Sequence, residues 1–186
     1  MRIIAYPHEQ FDMKCYSLGL YDYNVENDKN HAFISIIGTD GCRKYHLEDE
    51  ETHWFKKNHT NVLNLEFDDV TEDTELNGHL LKAMTEEQAQ KCVDFIENNI
   101  GKHIYIHCRA GISRSGAIAK FIIEFYNENN IYNVSDFKFY NKRINPNNHV
   151  LSLLKRIYYI IMNLYLLVNL QLELIRLHML WDKTII

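Results

Sequence analysis

A cysteine and an arginine stand six positions apart in the stretch HCRAGISRS, which covers His107–Ser115. The residues between them are mostly small, so the backbone there can curl around a tetrahedral anion. A thiolate is a strong nucleophile, and the planar fork of an arginine holds two phosphoryl oxygens at once. These residue types at this spacing predict a loop that cups a phosphate, with Cys108 as its floor and Arg114 closing it.

Two apolar segments flank this loop. The pentad His103–His107 is typical of a buried strand, and Gly116–Asn127 is apolar nearly all round, as in a helix buried within a domain. A loop that enters a helix at the carboxyl end of a strand turns its amides inward, beside the positive end of the helix dipole. A cysteine at such a helix N-terminus loses its proton readily, so we expect Cys108 to be a thiolate at neutral pH.

The remaining elements interleave strands with helices. Besides His103–His107, alternation and β-branched runs predict strands at Arg2–Tyr6, Ala32–Ile37 and Val62–Phe67. Thr85 and Gln88 have the spacing of a capping box, and Cys92 is one of the apolar residues at helical spacing that would form the buried face of the following helix. A further helix is predicted over 134–143. The interleaving predicts an α/β class, with a central, mainly parallel sheet flanked by helices.

Composition sets the broad limits. The chain has 186 residues, of which 46% are hydrophobic and 24% charged, so we expect a single domain over 1–186 with a sizeable core. A net charge of -5 at pH 7 argues against a nucleic acid as the main partner. The four cysteines form no CxxC pair, and the N-terminus lacks the pattern of a signal peptide. A reducing, intracellular and hence cytoplasmic location is therefore expected.

Histidines invite a metal interpretation, which the spacing does not support. His46, His53 and His59 lie in polar sequence without neighbouring cysteines or an H-E-x-x-H pattern. We therefore expect them to be solvated, and we expect no metal and no other cofactor.

The C-terminal segment is apolar. Only Asn163 is strongly polar between Ile157 and Val168, but polar residues then follow, namely Asn169, Gln171, Glu173 and Arg176. Because a spanning helix needs about 20 largely apolar residues, we expect no transmembrane span. The sequence predicts an apolar helix over 155–186 with its early part packed on the core. A homodimer contact or a membrane-surface contact through this helix is the alternative.

The loop residues carry a family resemblance. HCRAGISRS resembles the signature of the cysteine-based protein tyrosine phosphatase superfamily: His-Cys, five residues, Arg, then Ser or Thr. The pair Pro146–Asn147 is similar to an element of the dual-specificity branch, and Asn147 follows Cys108 by 39 residues. The resemblance covers Ala32 to Leu154 and implies the cysteine phosphatase fold.

The resemblance also implies a role for each residue of the site. Cys108 would take the phosphoryl group as a cysteinyl-phosphate, and Arg114 would bind the substrate and stabilise the transition state. Ser115 would help the thiolate to leave, and His107 would orient the loop. Asn147 would position the loop or the hydrolytic water. Loop amides would contact the phosphate, in the segment formed by Arg109, Ala110, Gly111, Ile112, Ser113 and Arg114.

A phosphatase of this kind needs an acid for the leaving oxygen, and the resemblance places it after an upstream strand. Asp68, Asp69 and Asp73 follow the strand predicted at Val62–Phe67. Asp69 corresponds to the family's acid, although it lies 39 residues before Cys108, a longer spacing than is usual. An extended loop over 70–84 would account for the difference. Asp68 and Asp73 stay open as alternatives.

The implied function is hydrolysis of phosphotyrosine, and of phosphoserine or phosphothreonine, in a phosphoprotein substrate. One alternative is a phosphoinositide or RNA 5′-phosphatase with the same chemistry. Lipid-directed members often have extra lysines in the loop, whereas here only Arg109 adds charge. A second alternative is a noncatalytic phosphopeptide-binding module, but such relatives usually lack the cysteine, the arginine or the acid. A rhodanese-type sulfur transferase does not share the flanking histidine and serine.

Overall fold

A four-stranded parallel sheet forms the centre of the molecule. The computed structural model describes residues 1–40, 52–127 and 130–184, with the backbone alone for 177–184. The strand order is β1-β6-β2-β3, and all three pairings are parallel. The strands are β1 (Ile3–Pro7), β2 (His31–Ile37), β3 (Val62–Glu66) and β6 (His103–Cys108), and a separate hairpin consists of β4 (Thr74–Leu76) and β5 (His79–Leu81). This arrangement confirms the predicted α/β class.

Helices cover both faces of the sheet. They are α1 (His8–Leu18), α2 (Glu86–Asn98), α3 (Arg114–Phe125), α4 (Val134–Tyr140) and α5 (Asn148–Thr184), with a short 3-10 helix at Val25–Asn27. On the α1 side, Phe11 and Cys15 are buried with Phe33 and Tyr105 of the sheet. The larger part of the core lies on the other side, where α2, α3 and α5 pack together.

The sequence predicted the start of α2 correctly and the end of α4 incorrectly. The predicted capping box is confirmed: Thr85 Oγ1 accepts from the Gln88 amide at 3.2 Å, and Gln88 Oε1 accepts from the Thr85 amide at 2.9 Å. Cys92 is fully buried in the core, as predicted. The helix predicted over 134–143 ends earlier, at Tyr140. The next residue, Asn141, bonds the edge of β1 instead, because its side chain pairs with the Ala5 amide and the Ile3 carbonyl, each at 2.8 Å.

Several expectations need correction. The segment 70–84, expected to be an extended loop, contains the hairpin β4–β5. The first 31 residues, which carried no family resemblance, supply an edge strand and a helix of the domain. His53 and His59 are not solvated: His53 bonds Ser35, and His59 lies between Asp22 and Glu26, 3.1 and 3.2 Å from their carboxylates. His46 and Cys42 lie outside the described residues.

The C-terminal helix is longer than expected. It begins at Asn148 rather than near 155, and its 37 residues continue without interruption past the polar positions that the sequence argument treated as an end. Its early part packs on the core through Val150, Leu153 and Leu154, which precede the predicted start, and through Ile157. By length and composition alone, Asn148–Arg176 could cross a membrane, and only 22% of its most apolar stretch is buried.

Candidate active site

The stretch from Cys108 to Arg114, the phosphate loop, connects the central strand β6 to α3 at the carboxyl edge of the sheet. Cys108 is 2% exposed at the base of this loop. Its Sγ lies 3.1 Å from Oγ of the fully buried Ser115, in the first turn of α3. The structure therefore places the sulfur beneath the loop, next to a hydroxyl that can donate a hydrogen bond to it.

Gly111 explains how tightly the loop turns. Its φ is +68°, a left-handed conformation that other residues adopt only at a cost. A Cβ at this position would also lie 2.5 Å from the backbone of Tyr6 and Pro7, at the end of β1. Neither the turn nor the close approach of β1 tolerates a side chain, so the loop is built against the N-terminal segment of the chain.

Loop carbonyls point away from the enclosed space. The Arg109 carbonyl accepts from the His8 amide at 3.1 Å. The carbonyls of Ile112 and Ser113 accept from the Asn145 and Asn147 amides at 3.0 and 3.2 Å. Because the C=O and N–H of a planar trans peptide point in opposite directions, the amides that follow these carbonyls face inward. The result is a concave set of N–H groups of the kind that binds anions.

The Arg114 side chain is buried beside the loop. Its Nη1 donates to the Phe67 carbonyl at 2.9 Å, just after β3. This contact orients the guanidinium from a second strand, so that the positive charge is fixed rather than free to move in solvent. A fixed guanidinium loses little further entropy when it binds a phosphate.

His107 lies under the loop as a neutral ring. It is fully buried, and its Nε2 lies 2.6 Å from Ser35 Oγ of β2. Burial, with the neighbouring His8 and His53, lowers the pKa of His107 well below its ordinary 6.5. An uncharged, hydrogen-bonded ring can hold the start of the loop in place.

Ser35 also contacts a second histidine. Its Oγ lies 2.6 Å from both His53 Nδ1 and His107 Nε2. A hydroxyl has one proton to give, so Ser35 donates to one ring and accepts from the other. Sequence reasoning missed both Ser35 and His53. The available signal was a serine inside the apolar run AFISII, since a polar residue in a buried strand needs a partner.

Of the three candidate acids, Asp69 is the one that bonds the phosphate loop. Its Oδ1 accepts from Ser113 Oγ at 2.8 Å, across 44 residues of sequence. The same oxygen accepts from Asn147 Nδ2 at 2.8 Å. Asp69 is exposed, so its carboxyl can meet a substrate that enters from solvent.

The two neighbouring aspartates have structural partners. Asp68 is 1% exposed and accepts three hydrogen bonds, from the Thr39 amide at 2.9 Å, the Thr39 hydroxyl at 2.6 Å and the Lys82 amide at 2.7 Å. Asp73 accepts from the Ala83 amide at 2.9 Å, beyond the hairpin. Both carboxylates shape the segment that carries Asp69.

Asn147 joins three parts of the site. Its Nδ2 bonds Asp69, its amide bonds the Ser113 carbonyl, and its Oδ1 accepts from the Val150 amide at 3.1 Å in the first turn of α5. The sequence placed Asn147 near the loop, and the structure adds that it also holds the candidate acid.

The two other described cysteines are not suited to act as nucleophiles. Cys15 and Cys92 are buried, and desolvation raises the pKa of both thiols, which keeps them protonated. In the part of the chain that the structure describes, no three His, Cys, Asp or Glu side chains come together in a group that could hold a metal ion.

A cavity of about 190 Å³ adjoins the loop on its β1 side. Residues 110–112 of the loop form one wall. Tyr6, Tyr140, Lys142 and Arg143 contribute to the rest, so the space next to the candidate cup has both aromatic and cationic walls.

Comparison with known proteins places these features in a family. The model of the dual specificity phosphatase catalytic domain matches residues 23–158. No curated protein sequence matches this chain. Among solved structures, the chain is similar to the human tyrosine phosphatase-like serine/threonine/tyrosine-interacting protein, with a TM-score of 0.42, 18% identity, and coverage of 72% of this chain and 80% of that one. It is also similar to PTPMT1 in complex with PI(5)P, with a TM-score of 0.46, 16% identity, and coverage of 87% and 93%.

The family match spans most of the chain, and it includes both the phosphate loop and the three candidate acids. The fold and the family expected from the sequence are therefore confirmed. The protein belongs to the family of dual specificity phosphatase catalytic domains.

Proposed function

We propose that this protein hydrolyses phosphotyrosine, and phosphoserine or phosphothreonine, in protein substrates through a cysteinyl-phosphate intermediate. One observation carries the proposal: groups from distant parts of the chain converge on the phosphate loop. Cys108 lies at its base against Ser115, and Asp69 is held at its edge by Ser113 and Asn147. A nucleophile, an anion cup and a proton donor are what this reaction requires.

In the first step, the phosphate of the substrate lies in the loop. Inward-facing amides and the Arg114 guanidinium bind its nonbridging oxygens, whose charge they stabilise in the transition state. The Cys108 thiolate attacks phosphorus opposite the ester oxygen. The P–O bond breaks, and the leaving oxygen takes a proton from the Asp69 carboxyl. The products are the free hydroxyl side chain and a cysteinyl-phosphate.

In the second step, water attacks the same phosphorus. The Asp69 carboxylate accepts a proton from that water, so the residue serves as acid and then as base. The P–S bond breaks and inorganic phosphate forms. The Ser115 hydroxyl, 3.1 Å from Sγ, donates a hydrogen bond to the departing thiolate and makes it a better leaving group.

Supporting residues position these groups. The neutral His107 ring, bonded to Ser35, holds the start of the loop and does not act as a base. Asn147 keeps Asp69 close to Ser113, so the acid is placed by the same contacts that hold the loop carbonyl. No step in this scheme uses a metal ion.

The cavity beside the loop suggests how a protein substrate binds. Tyr6 and Tyr140 can contact the apolar part of a peptide, and Lys142 and Arg143 match an acidic residue next to the phosphorylated one. We expect Lys142→Ala/Arg143→Ala to raise KM for an acidic phosphopeptide by roughly tenfold with little effect on kcat. Lys91→Ala, at an exposed site on α2, is the matched control.

A substrate panel tests the proposal. Phosphate release is measured from a phosphotyrosine peptide, a phosphothreonine peptide, a phosphoinositide and an RNA 5′-triphosphate, with Cys108→Ser as the blank. We expect the highest kcat/KM for the phosphotyrosine peptide, and an acid-quenched reaction should contain phosphate bound to Cys108.

The other outcomes are distinct. Preference for the lipid or the RNA would keep the chemistry and reject the protein substrate. Tight binding of the phosphopeptide without phosphate release would identify a noncatalytic binding module. Turnover that survives Cys108→Ser would reject the covalent mechanism.

A further inference from the structure

The outer part of α5, Met162–Arg176, is apolar and lies outside the core. The helix makes its last core contact at Ile161. Beyond this point, Leu164, Tyr165, Leu166, Leu167 and Val168 are between 52% and 65% exposed. Successive residues of a helix are 100° apart, so these five point in all directions around the axis. The exposed apolar surface is therefore a complete cylinder rather than a stripe.

The shape of this surface indicates what covers it. A second copy of the helix would cover one stripe, as in a coiled coil, and leave the opposite leucines in water. A helix that lies flat on a membrane also needs a polar face along its length. Here the polar side chains that share one side, Asn169, Glu173 and Arg176, occur only in the last turns, and no amide or charged side chain lies from Leu164 to Val168. Lipid is the surrounding that covers a single helix on every side.

Length and charge agree with a bilayer. No Asp, Glu, Lys or Arg occurs from Ile157 to Leu172, and the 18 residues from Tyr159 to Arg176 rise about 27 Å. This is close to the hydrocarbon thickness of about 30 Å. At the far end, Glu173 and Arg176 lie one turn apart and bond each other at 3.4 Å, which reduces the cost of placing them near the headgroups.

The near end has the features of a membrane boundary. Lys155 and Arg156 precede the apolar run and bond Glu124 and Glu86 of the domain, at 3.2 and 2.6 Å. Tyr159 follows them and is 55% exposed, at the level where aromatic side chains are frequent in membrane helices.

We propose that the segment from Tyr159 to Arg176 spans a lipid bilayer and anchors the domain to it. This inference replaces the expectation, drawn from sequence, that polar residues interrupt the apolar run too early. Asn163, Asn169 and Gln171 are uncharged, and the helix continues through all three positions.

The packing of α3 on α5 then fixes which way the site faces. Both helices start at the site: α3 begins at the phosphate loop, and Asn147 precedes α5 and bonds Ser113. The C-terminal end of α3 lies beside Tyr158 of α5, since the rings of Phe125 and Tyr158 are 5.2 Å apart. The helices are therefore parallel, and the 12 residues of α3 put about 18 Å between the loop and the point where α5 leaves the core.

The site consequently lies at the end of the domain opposite the membrane. With the function proposed above, on which this step rests, the substrate arrives from the aqueous phase. Phosphate groups on headgroups of the anchoring bilayer are out of reach of Cys108. The anchor thus favours a phosphoprotein over a phosphoinositide of the same membrane.

Vesicle flotation tests the anchor without any need for activity. The full chain is synthesised in a cell-free system with phosphatidylcholine vesicles, which carry no net charge, and is then floated in a density gradient. We expect most of the protein to float and to stay bound during an alkaline carbonate wash. Leu164→Glu/Leu166→Glu, which places charges on opposite sides of the helix, should lower the floating fraction at least tenfold.

The control variant is Met13→Glu/Tyr16→Glu, which makes the same change at exposed sites on α1 and should float like the wild type. Thermal unfolding of each variant shows that the domain has folded. A wild-type chain that does not float, or that forms a soluble oligomer in the absence of lipid, overturns the proposal. Release by the alkaline wash overturns it as well.

Orientation is tested on the floated protein. It is given a soluble phosphotyrosine peptide in one reaction and a phosphoinositide confined to its own vesicle in another. We expect turnover of the peptide at least a hundredfold faster than that of the lipid. Faster turnover of the lipid overturns the orientation. If neither is hydrolysed while the protein floats, the proposed function fails and the anchor stands.

Discussion

Two helical regions of this protein have similar composition and opposite surroundings. The segment GAIAKFIIEF of α3 is apolar nearly all round, and Ile118, Phe121 and Ile122 within it are fully buried. The segment LYLLVNL of the outer α5 is also apolar, and its six side chains other than Asn169 are more than half exposed. An apolar pattern on every side of a helix therefore indicates non-aqueous surroundings without identifying them. For α3 they are the sheet and two helices, and for the outer α5 we propose lipid.

The two regions also have separate proposed roles: α3 supports the site, and the outer α5 attaches the domain to a membrane. Helix α3 is buried over most of its surface, with Lys120 and Glu124 reaching solvent, and it presents its N-terminus to the phosphate loop, where small displacements would disturb the proposed catalysis. Among the described residues, the outer α5 makes no contact with the residues assigned to the site. Substitutions at the site and its supporting helix α3 should therefore affect activity or stability, whereas substitutions in the outer α5 should affect membrane binding.

Cys108→Ser should give the largest effect. A serine hydroxyl is a far weaker nucleophile than a thiolate, so we expect kcat to fall by roughly 10⁴-fold or more. Binding of inorganic phosphate and flotation with vesicles should be unchanged, because the amide cup and the outer helix are intact. Isothermal titration and the flotation assay measure the two. Loss of flotation in this variant would show that the two regions are coupled.

Asp69→Asn and Asp68→Asn should differ although the residues are adjacent. Loss of the acid should lower kcat by roughly 10²- to 10³-fold, with little change in stability. Asp68→Asn weakens three hydrogen bonds to a buried carboxylate, so it should lower the free energy of unfolding by about 1–3 kcal/mol. Steady-state kinetics and urea unfolding distinguish them. The opposite result would make Asp68 the acid.

Ile122→Ala and Leu166→Ala compare the two helices directly. Removing the fully buried Ile122 side chain leaves a cavity, and the free energy of unfolding should fall by about 2–5 kcal/mol. Leu166 is 58% exposed, so its truncation should change the same quantity by less than about 0.5 kcal/mol. Urea unfolding in the absence of lipid measures both. Equal losses would mean that the outer helix packs against protein in solution.

The smallest effect concerns pH. Burial lowers the pKa of His107 below 6.5, its value when unfolded, so the unfolded chain takes up this proton first as the pH falls. The contribution of the neutral His107 ring to the free energy of unfolding should be fully present above about pH 6.5. Below that pH it should decrease by at most about 1.4 kcal/mol per pH unit. Urea unfolding at a series of pH values measures this slope. His107→Gln should flatten the slope, whereas Leu166→Ala should leave it as in the wild type.

Local patterns predicted much of the fold. The strand predicted at Ala32–Ile37 begins one residue earlier, at His31, and the capping box of α2 involves the residues that the sequence indicated. These features depend on neighbours within a few positions, through backbone hydrogen bonds and side-chain periodicity. The phosphate loop was recognisable for the same reason, since its residues are consecutive.

Contacts between distant segments were not predictable from such patterns. The sequence left three aspartates as candidates for the acid, and only their hydrogen-bond partners distinguish them. Asp68 bonds Thr39. Asp69 bonds Ser113 and Asn147 at the phosphate loop. Ser35 under His107 escaped notice because the two residues are 72 positions apart. Each of these pairings arises where strands far apart in the chain end at the same edge of the sheet.

The order of residues by itself determined the α/β class and identified Cys108 as the candidate nucleophile and Arg114 as the candidate phosphate-binding arginine, because these follow from periodicity and from one continuous stretch of nine residues. Only the tertiary structure decided which carboxylate faces the loop, which histidines are buried, and that α3 and α5 leave the site in the same direction. The reason is physical: burial and hydrogen-bond partners depend on which segments meet in space. An apolar pattern predicts neither burial nor hydrogen-bond partners, because a helix in the protein core and a helix that extends out of the core have the same pattern.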